Sequence, residues 1–262
     1  MKNSQDIFTG LPQHLISTIT RWISSMVKIS AVSSPKQLAD YLLTDIVQNS
    51  VESVNLPTED RKILLNWTRE VDQDQLVKYI TKLQEAIENN ARYPRMSGAQ
   101  EKIIIEAQED AGTDFLSKFL GLTSWQADVI IKGCIAVSEI TRQTDKRYFP
   151  LSWLRSAISS FLLNDSPNYT NQELYQYKYL PVKGKATDRQ IEAIYDLQPE
   201  VQADFTEFYY LLDSVQADII LKGMVIISEI KRVKKTRNMS LRDIRYALRK
   251  YIQARPETDK ER

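Results

Sequence analysis

The sequence contains little glycine, cysteine and histidine. It has 7 Gly, 1 Cys and 1 His in 262 residues, whereas glycine alone averages about 7% of the residues in proteins. Scarce glycine disfavours β-sandwiches, barrels and dinucleotide-binding domains, because their tight turns use this residue. A single cysteine excludes an intramolecular disulfide framework, and a single histidine leaves little material for zinc sites or catalytic triads.

An excess of one charge and long apolar runs are missing as well. The chain carries 35 Lys and Arg against 34 Asp and Glu, a net charge of +1, which argues against a uniformly basic nucleic-acid-binding protein. Its first ten residues lack the basic start and apolar run of a secretory signal. No segment approaches the roughly 20 apolar residues that cross a bilayer. We therefore expect a cytoplasmic protein that does not bind a membrane surface.

Helical periodicity and helix caps are abundant. Apolar residues recur at intervals of three and four, as at Leu241, Ile244 and Leu248. The prolines fall between such segments or in a first turn, where a missing N–H costs nothing. The spacing of a capping box joins Ser34 with Gln37, Asp72 with Gln75, Ser97 with Gln100, Thr123 with Gln126, Thr170 with Glu173, Thr187 with Gln190 and Asp213 with Gln216. We predict an all-α protein with about nine to eleven helices.

The sequence also contains an internal repeat. Residues 122–142 (LTSWQADVIIKGCIAVSEITR) and residues 212–232 (LDSVQADIILKGMVIISEIKR) share 12 of 21 positions at an offset of 90, where about one or two matches are expected by chance. We predict tandem four-helix units in a compact bundle or a short α-superhelix. The predicted domains are an N-terminal helical region over 1–70 (a degenerate half-repeat), repeat 1 over 71–165, repeat 2 over 166–255 and a disordered tail over 256–262.

A narrow charged stripe runs along the duplicated helix, which is apolar or small elsewhere. Its members are Asp128, Lys132, Glu139 and Arg142 in the first copy and Asp218, Lys222, Glu229 and Arg232 in the second. Their spacing favours i, i+4 and i, i+3 ion pairs. If the stripe has a structural role, we expect either ion pairs that are exposed to solvent or charges that pair one copy with the other. The functional alternative is a charged groove for a partner.

Gly133 and Gly223 occupy the same repeat position inside this helix. Glycine within a helix costs about 1 kcal/mol relative to alanine. An offsetting benefit is therefore expected, and we predict that another helix approaches closely at both positions.

Candidates for chemistry are few. Glu106, Glu109, Asp110 and Asp114 form an acidic patch, but di-metal helical bundles also need Glu-x-x-His motifs, which this sequence lacks. The second copy replaces the first three acids of the patch, and no phosphate-binding loop, nucleophile elbow or zinc spacing is present. We therefore expect no catalytic, cofactor-binding or metal site, and no enzyme activity.

Charge is uneven along the chain. Residues 231–262 hold twelve basic and four acidic residues, a net charge of +8, which leaves −7 for the rest. Arg242, Arg245 and Arg249 lie on one face of a predicted helix, whereas the first copy has Ser152, Arg155 and Ser159 at these positions. The candidate binding residues of this basic segment are Lys231, Arg232, Lys234, Lys235, Arg237, Arg242, Arg245, Arg249 and Lys250.

Two functions compete on this evidence. The first is a non-catalytic, adaptor-type binding or regulatory protein that acts through protein–protein contacts, using the helical surface between the repeats and the basic C-terminal helix. A structural alternative for that helix is that its basic face docks on the acidic remainder of the chain. The second is a nucleic-acid-binding regulator that uses residues 231–250 as a helix-turn-helix-like segment, with cations on phosphates. The sequence indicates neither an oligomeric state nor a cofactor.

Overall fold

The computed structural model of the chain describes residues 7–29, 33–49, 57–119, 121–145, 149–165 and 184–254. Within these ranges it contains α-helices and no β-strand, which confirms the predicted all-α class. None of these helices is long and apolar enough to cross a membrane. The elements are α1 (Gln13–Ile29), α2 (Pro35–Asn49), α3 (Thr58–Glu70), α4 (Gln73–Ala91), α5 (Gly98–Asp110), α6 (Ser124–Thr144), α7 (Leu151–Leu163), α8 (Asp188–Val201), a 3₁₀ helix (Thr206–Leu211), α9 (Ser214–Lys234) and α10 (Leu241–Gln253).

Most predicted caps form. Reciprocal capping boxes begin α2, α5, α6, α8 and α9, and the Asp72 carboxylate accepts from the first turn of α4. The pair Thr170 and Glu173 lies outside the described residues. One expectation about proline is wrong, because Pro199 lies inside α8. It removes one backbone hydrogen bond there, but the helix ends two residues later at Val201.

Contacts divide the chain into two units, of which the first comprises Met1–Arg92 and Thr206–Leu211. In this unit α1 packs on α2 and α4, and the 3₁₀ helix packs on α1 and α4. Phe8 stacks on Trp67 and meets the edge of Tyr210, which belongs to the 3₁₀ helix. The indole N–H of Trp67 donates to the carbonyl of Ile7 at 2.6 Å. An aromatic cluster therefore fixes this short segment to the N-terminal helices.

The second unit comprises Tyr93–Phe205 and Leu212–Arg262. Its helices α6 and α7 have the same bounds as α9 and α10 at an offset of 90 residues. The long helices α6 and α9 pack on each other, while α7 packs on α9 and α10 packs on α6. The final helix of each repeated stretch therefore packs on the long helix of the other stretch. Matching hydrogen bonds run in both directions, from Gln126 to the Asp204 carbonyl and from Gln216 to the Asp114 carbonyl.

Glycine allows the backbones of α6 and α9 to meet. A Cβ placed on Gly133 would lie 2.0 Å from the carbonyl oxygen of Ile219. A Cβ on Gly223 would lie 2.0 Å from the carbonyl oxygen of Val129. These separations are far inside van der Waals contact, which is about 3.5 Å or more for heavy atoms. The predicted close approach at both glycines is confirmed.

Candidate functional site

The lysines and glutamates of the charged stripe on α6 and α9 are buried. The Lys132 side chain is 5% exposed and pairs with Asp128 one turn earlier, while Lys222 is 2% exposed and pairs with Asp218. The expected i, i+4 pairs therefore form. The stripe is solvated only in part: Arg142 and Arg232 are 57% and 63% exposed, whereas Arg237, which follows α9, lies 3.6 Å from Asp128 and covers it. Burial lowers the pKa of Lys132, and the Asp128 carboxylate opposes this shift.

Glu139 is the centre of a three-partner cluster. It is 1% exposed and accepts hydrogen bonds from Arg142 and from Gln143 on its own helix. The third donor is Arg249 of α10, whose Nε lies 3.1 Å from Oε1 of Glu139. Because α10 belongs to the second repeated stretch, this contact joins the two copies, in agreement with one of the two structural roles expected for the stripe.

Glu229, the counterpart of Glu139, has a different environment. It is 5% exposed, and Arg232 donates from Nε to both carboxylate oxygens at 3.2 and 3.1 Å. This carboxylate raises the pKa of Arg232 by hydrogen bonding and by charge. At the position that corresponds to Arg249 the chain has Ser159, whose hydroxyl accepts from Arg232 at 3.2 Å. A short hydroxyl therefore replaces the second guanidinium.

A groove of about 560 Å³ opens beside Glu229, and we call it the Glu229 groove. Its walls are α7 and the residues just after it, the C-terminal end of α8 and the C-terminal part of α9, so three helices of the second unit position it. Leu163 is the apolar residue in this wall. The hydroxyl groups of the groove are supplied by Ser156, Ser159, Ser160 and Ser228.

The charges of the Glu229 groove carry both signs. Arg155 and Arg232 supply two cations, whereas Asp165, Glu200 and Glu229 supply three carboxylates. The carboxylate of Glu200 already accepts from the Ser228 hydroxyl. The lining therefore has a net charge of −1 and many hydrogen-bonding groups, an arrangement suited to a polar or cationic ligand.

Four of the nine basic candidates are engaged in contacts within the second unit. Lys231 donates to the end of α8 at the Glu200 carbonyl, Arg232 holds Glu229, and Arg249 holds Glu139. Arg237 donates to the Val201 carbonyl, pairs with an acid on α6 and lies 4.1 Å above the Trp125 ring. Burial lowers the pKa values of both Lys231 and Arg237. Much of the basic segment therefore stabilises the unit itself.

The remaining five basic candidates lie at the end of α9 and on α10. In the part of the chain that the structure describes, no ion pair is formed by Lys234, Lys235, Arg242, Arg245 or Lys250. Two of them end α9, where Lys235 adopts the left-handed cap conformation (φ 57°), and three lie on α10. The basic surface that a partner could contact is therefore smaller than the sequence suggested, because it consists of these five of the nine candidate residues.

Metal ligands are not clustered in the described ranges, where no group of three or more His, Cys, Asp or Glu side chains could hold a metal ion.

Comparisons with protein-family models, curated proteins and solved structures give no significant match for the chain.

The sequence alone did not indicate the Glu229 groove. Its serines are an ordinary feature of a helix surface, and Glu229 has the spacing of an ion pair within the charged stripe. The signal in the sequence is the difference between Ser159 and Arg249 at one repeat position. That difference alone predicts a basic face on α10, because the sequence does not show that α7 and α10 each cross to the long helix of the other copy.

Proposed function

We propose that the protein is a non-catalytic, adaptor-type binding protein and that a segment of a partner protein lies in the Glu229 groove. The observation that carries this proposal is an open groove of about 560 Å³ with a buried carboxylate in its wall. Small-molecule pockets of this size are predominantly apolar. This groove instead has one apolar side chain among serines and charges, which suits the mixed polar surface of a peptide.

The finer architecture belongs to the same proposal. We infer two tandem repeats related by duplication, and the matching bounds of α6, α7, α9 and α10 support this. A repeat of four helices stays a prediction, because most of the residues that would correspond to α4 in the second copy lie in 166–183, outside the described residues. The boundaries at 70, 165 and 255 and the tail over 256–262 stay predictions too, the tail lying entirely outside those residues. A cytoplasmic location also stays a prediction.

Binding of nucleic acid is the second candidate function. The observation in its favour is that five basic side chains at the end of α9 and on α10 form no ion pair within the described ranges. Such cations contact phosphates in many nucleic-acid complexes. Two of the predicted phosphate-binding cations are not available for this function, because Arg237 and Arg249 pair with acids of the same unit.

Affinity purification with groove and basic-face variants separates the two functions. The full-length chain is recovered from its native cell with and without nuclease, as wild type, as Ser159→Arg and as Arg242→Gln/Arg245→Gln. We expect one partner protein whose capture resists nuclease, is retained by the double variant and is reduced at least about tenfold by Ser159→Arg, which places a long cationic side chain in the groove.

Two results contradict the proposal. If Ser159→Arg captures the same proteins in the same amounts as wild type, the groove is not the binding site. If nuclease removes the captured material and the Arg242→Gln/Arg245→Gln variant loses it, the protein binds nucleic acid instead.

A further inference from the structure

We propose that the Glu229 groove binds the guanidinium group of an arginine side chain on the partner segment, in the place that Arg249 occupies beside Glu139. This inference rests on the proposed function and names the chemistry that the groove recognises. Its basis is a comparison of two equivalent carboxylates within one chain. One is covered by the protein's own arginine, and the other lies beside an open groove.

The two carboxylates have similar surroundings that differ at two of the positions contacting them: Gln143, which donates to Glu139, corresponds to Val233, and Arg249 corresponds to Ser159. Glu139 and Glu229 are both buried, and each pairs with an arginine three residues later. Each also faces the final helix of the other repeated stretch, α10 for Glu139 and α7 for Glu229. On α10 the facing residue is Arg249, and on α7 it is Ser159. The part of the groove beside Glu229 therefore corresponds to the space that the Arg249 side chain fills in the other copy.

The carboxylate of Glu229 can accept a second guanidinium. An ionised carboxylate offers about four lone-pair sites. At Glu139 the Arg142 guanidinium bonds Oε2, and Arg249 bonds Oε1. At Glu229 the single Arg232 guanidinium spans both oxygens. A small rotation of Arg232 toward the arrangement seen at Glu139 would release one oxygen for the ligand.

Charge and hydrogen bonding favour guanidinium over a neutral group. The groove lining has a net charge of −1, so one bound cation makes it neutral. A guanidinium has five N–H donors in a planar fork that fits a carboxylate. Beside Glu229 the hydroxyls of Ser156 and Ser160 line the same space and can accept donors that the carboxylate leaves unused. An ammonium group supplies three donors without the planar geometry.

The test counts binding sites for N-acetyl-L-arginine amide on the full-length chain by NMR titration at low salt and millimolar probe concentration. We expect one site in wild type, none in Ser159→Arg, and two in Arg249→Ser, which opens the equivalent space beside Glu139. The matching N-acetyl-L-citrulline amide has the same shape without the charge, and it should bind at least about tenfold more weakly than the arginine probe. Circular dichroism establishes that each variant is folded.

Two results would overturn the inference. One is equal binding of the arginine and citrulline probes, and the other is unchanged binding of the arginine probe to Ser159→Arg. If Arg249→Ser does not fold, Glu229→Gln replaces it in the test. This variant should bind the arginine probe at the groove about tenfold more weakly than the wild-type protein does. If Ser159→Arg loses the partner protein but the arginine probe does not bind to the wild-type protein, this inference alone is overturned. If the probe binds to the wild-type protein but Ser159→Arg captures as much partner as wild type does, the proposed function is overturned instead.

Discussion

Replacement of Gly133 or Gly223 by alanine is expected to lower the free energy of unfolding by about 3 kcal/mol or more. The added methyl group would lie 2.0 Å from a backbone carbonyl oxygen of the facing helix at either position. A backbone atom cannot rotate away as a side chain can, so α6 and α9 must separate along their buried contact. Urea denaturation followed by circular dichroism measures the loss, and leucine at either position should cost still more.

Gly98→Ala is the matched control for these variants. Gly98 is also helical, in the first turn of α5, but a Cβ there would meet no atom within 4 Å. Alanine should therefore leave stability unchanged or raise it by up to about 1 kcal/mol, through helix propensity and a smaller loss of chain entropy. If Gly133→Ala and Gly98→Ala have equal midpoints, the close approach of α6 and α9 is refuted.

Lys222 is buried and its partner Asp218 is partly exposed, so we expect loss of the aspartate to cost much more stability than loss of the lysine. Asp218→Ala should cost about 3–5 kcal/mol, because it leaves an almost wholly buried ammonium without its carboxylate. Lys222→Met should cost about 1 kcal/mol or less, because the remaining carboxylate is 24% exposed and reaches water. The double variant should recover most of the stability that Asp218→Ala loses, since an apolar side chain replaces the stranded charge.

An exposed pair provides the comparison. Glu59 and Lys62 are 79% and 64% exposed on α3, so Glu59→Ala should change stability by about 0.5 kcal/mol or less. Chemical denaturation of these four variants gives the full comparison. Equal losses for Asp218→Ala and Glu59→Ala, or a double variant no more stable than Asp218→Ala, would show that the stripe is not a buried electrostatic element.

Local features of the helices could be predicted from the sequence, because they depend on near neighbours in the chain. The caps of α5, α6, α8 and α9 follow from hydrogen bonds between residues three positions apart. The close approach at Gly133 also follows from a local argument, since a glycine in a helix needs an offsetting contact. Periodicity likewise indicates which faces are apolar.

Features that depend on tertiary neighbours could not be predicted in this way. Lys132 and Lys222 have a favourable spacing on a helix surface, and the sequence does not show that other parts of the second unit bury them. Tyr210 lies in a short segment between α8 and α9, yet it packs with Phe8 in the first unit. The Glu229 groove depends on α7 crossing to α9, a choice of partner that no local pattern encodes.

We infer that the part of the Glu229 groove beside the carboxylate corresponds to the space that Arg249 fills beside Glu139, and that the shorter Ser159 leaves it open. A crystal structure of the Ser159→Arg variant would show whether the new side chain enters this space. We expect the introduced guanidinium to hydrogen bond to the Glu229 carboxylate and Arg232 to move to a single oxygen. If the new side chain points into solvent while Arg232 still spans both oxygens, the two spaces do not correspond.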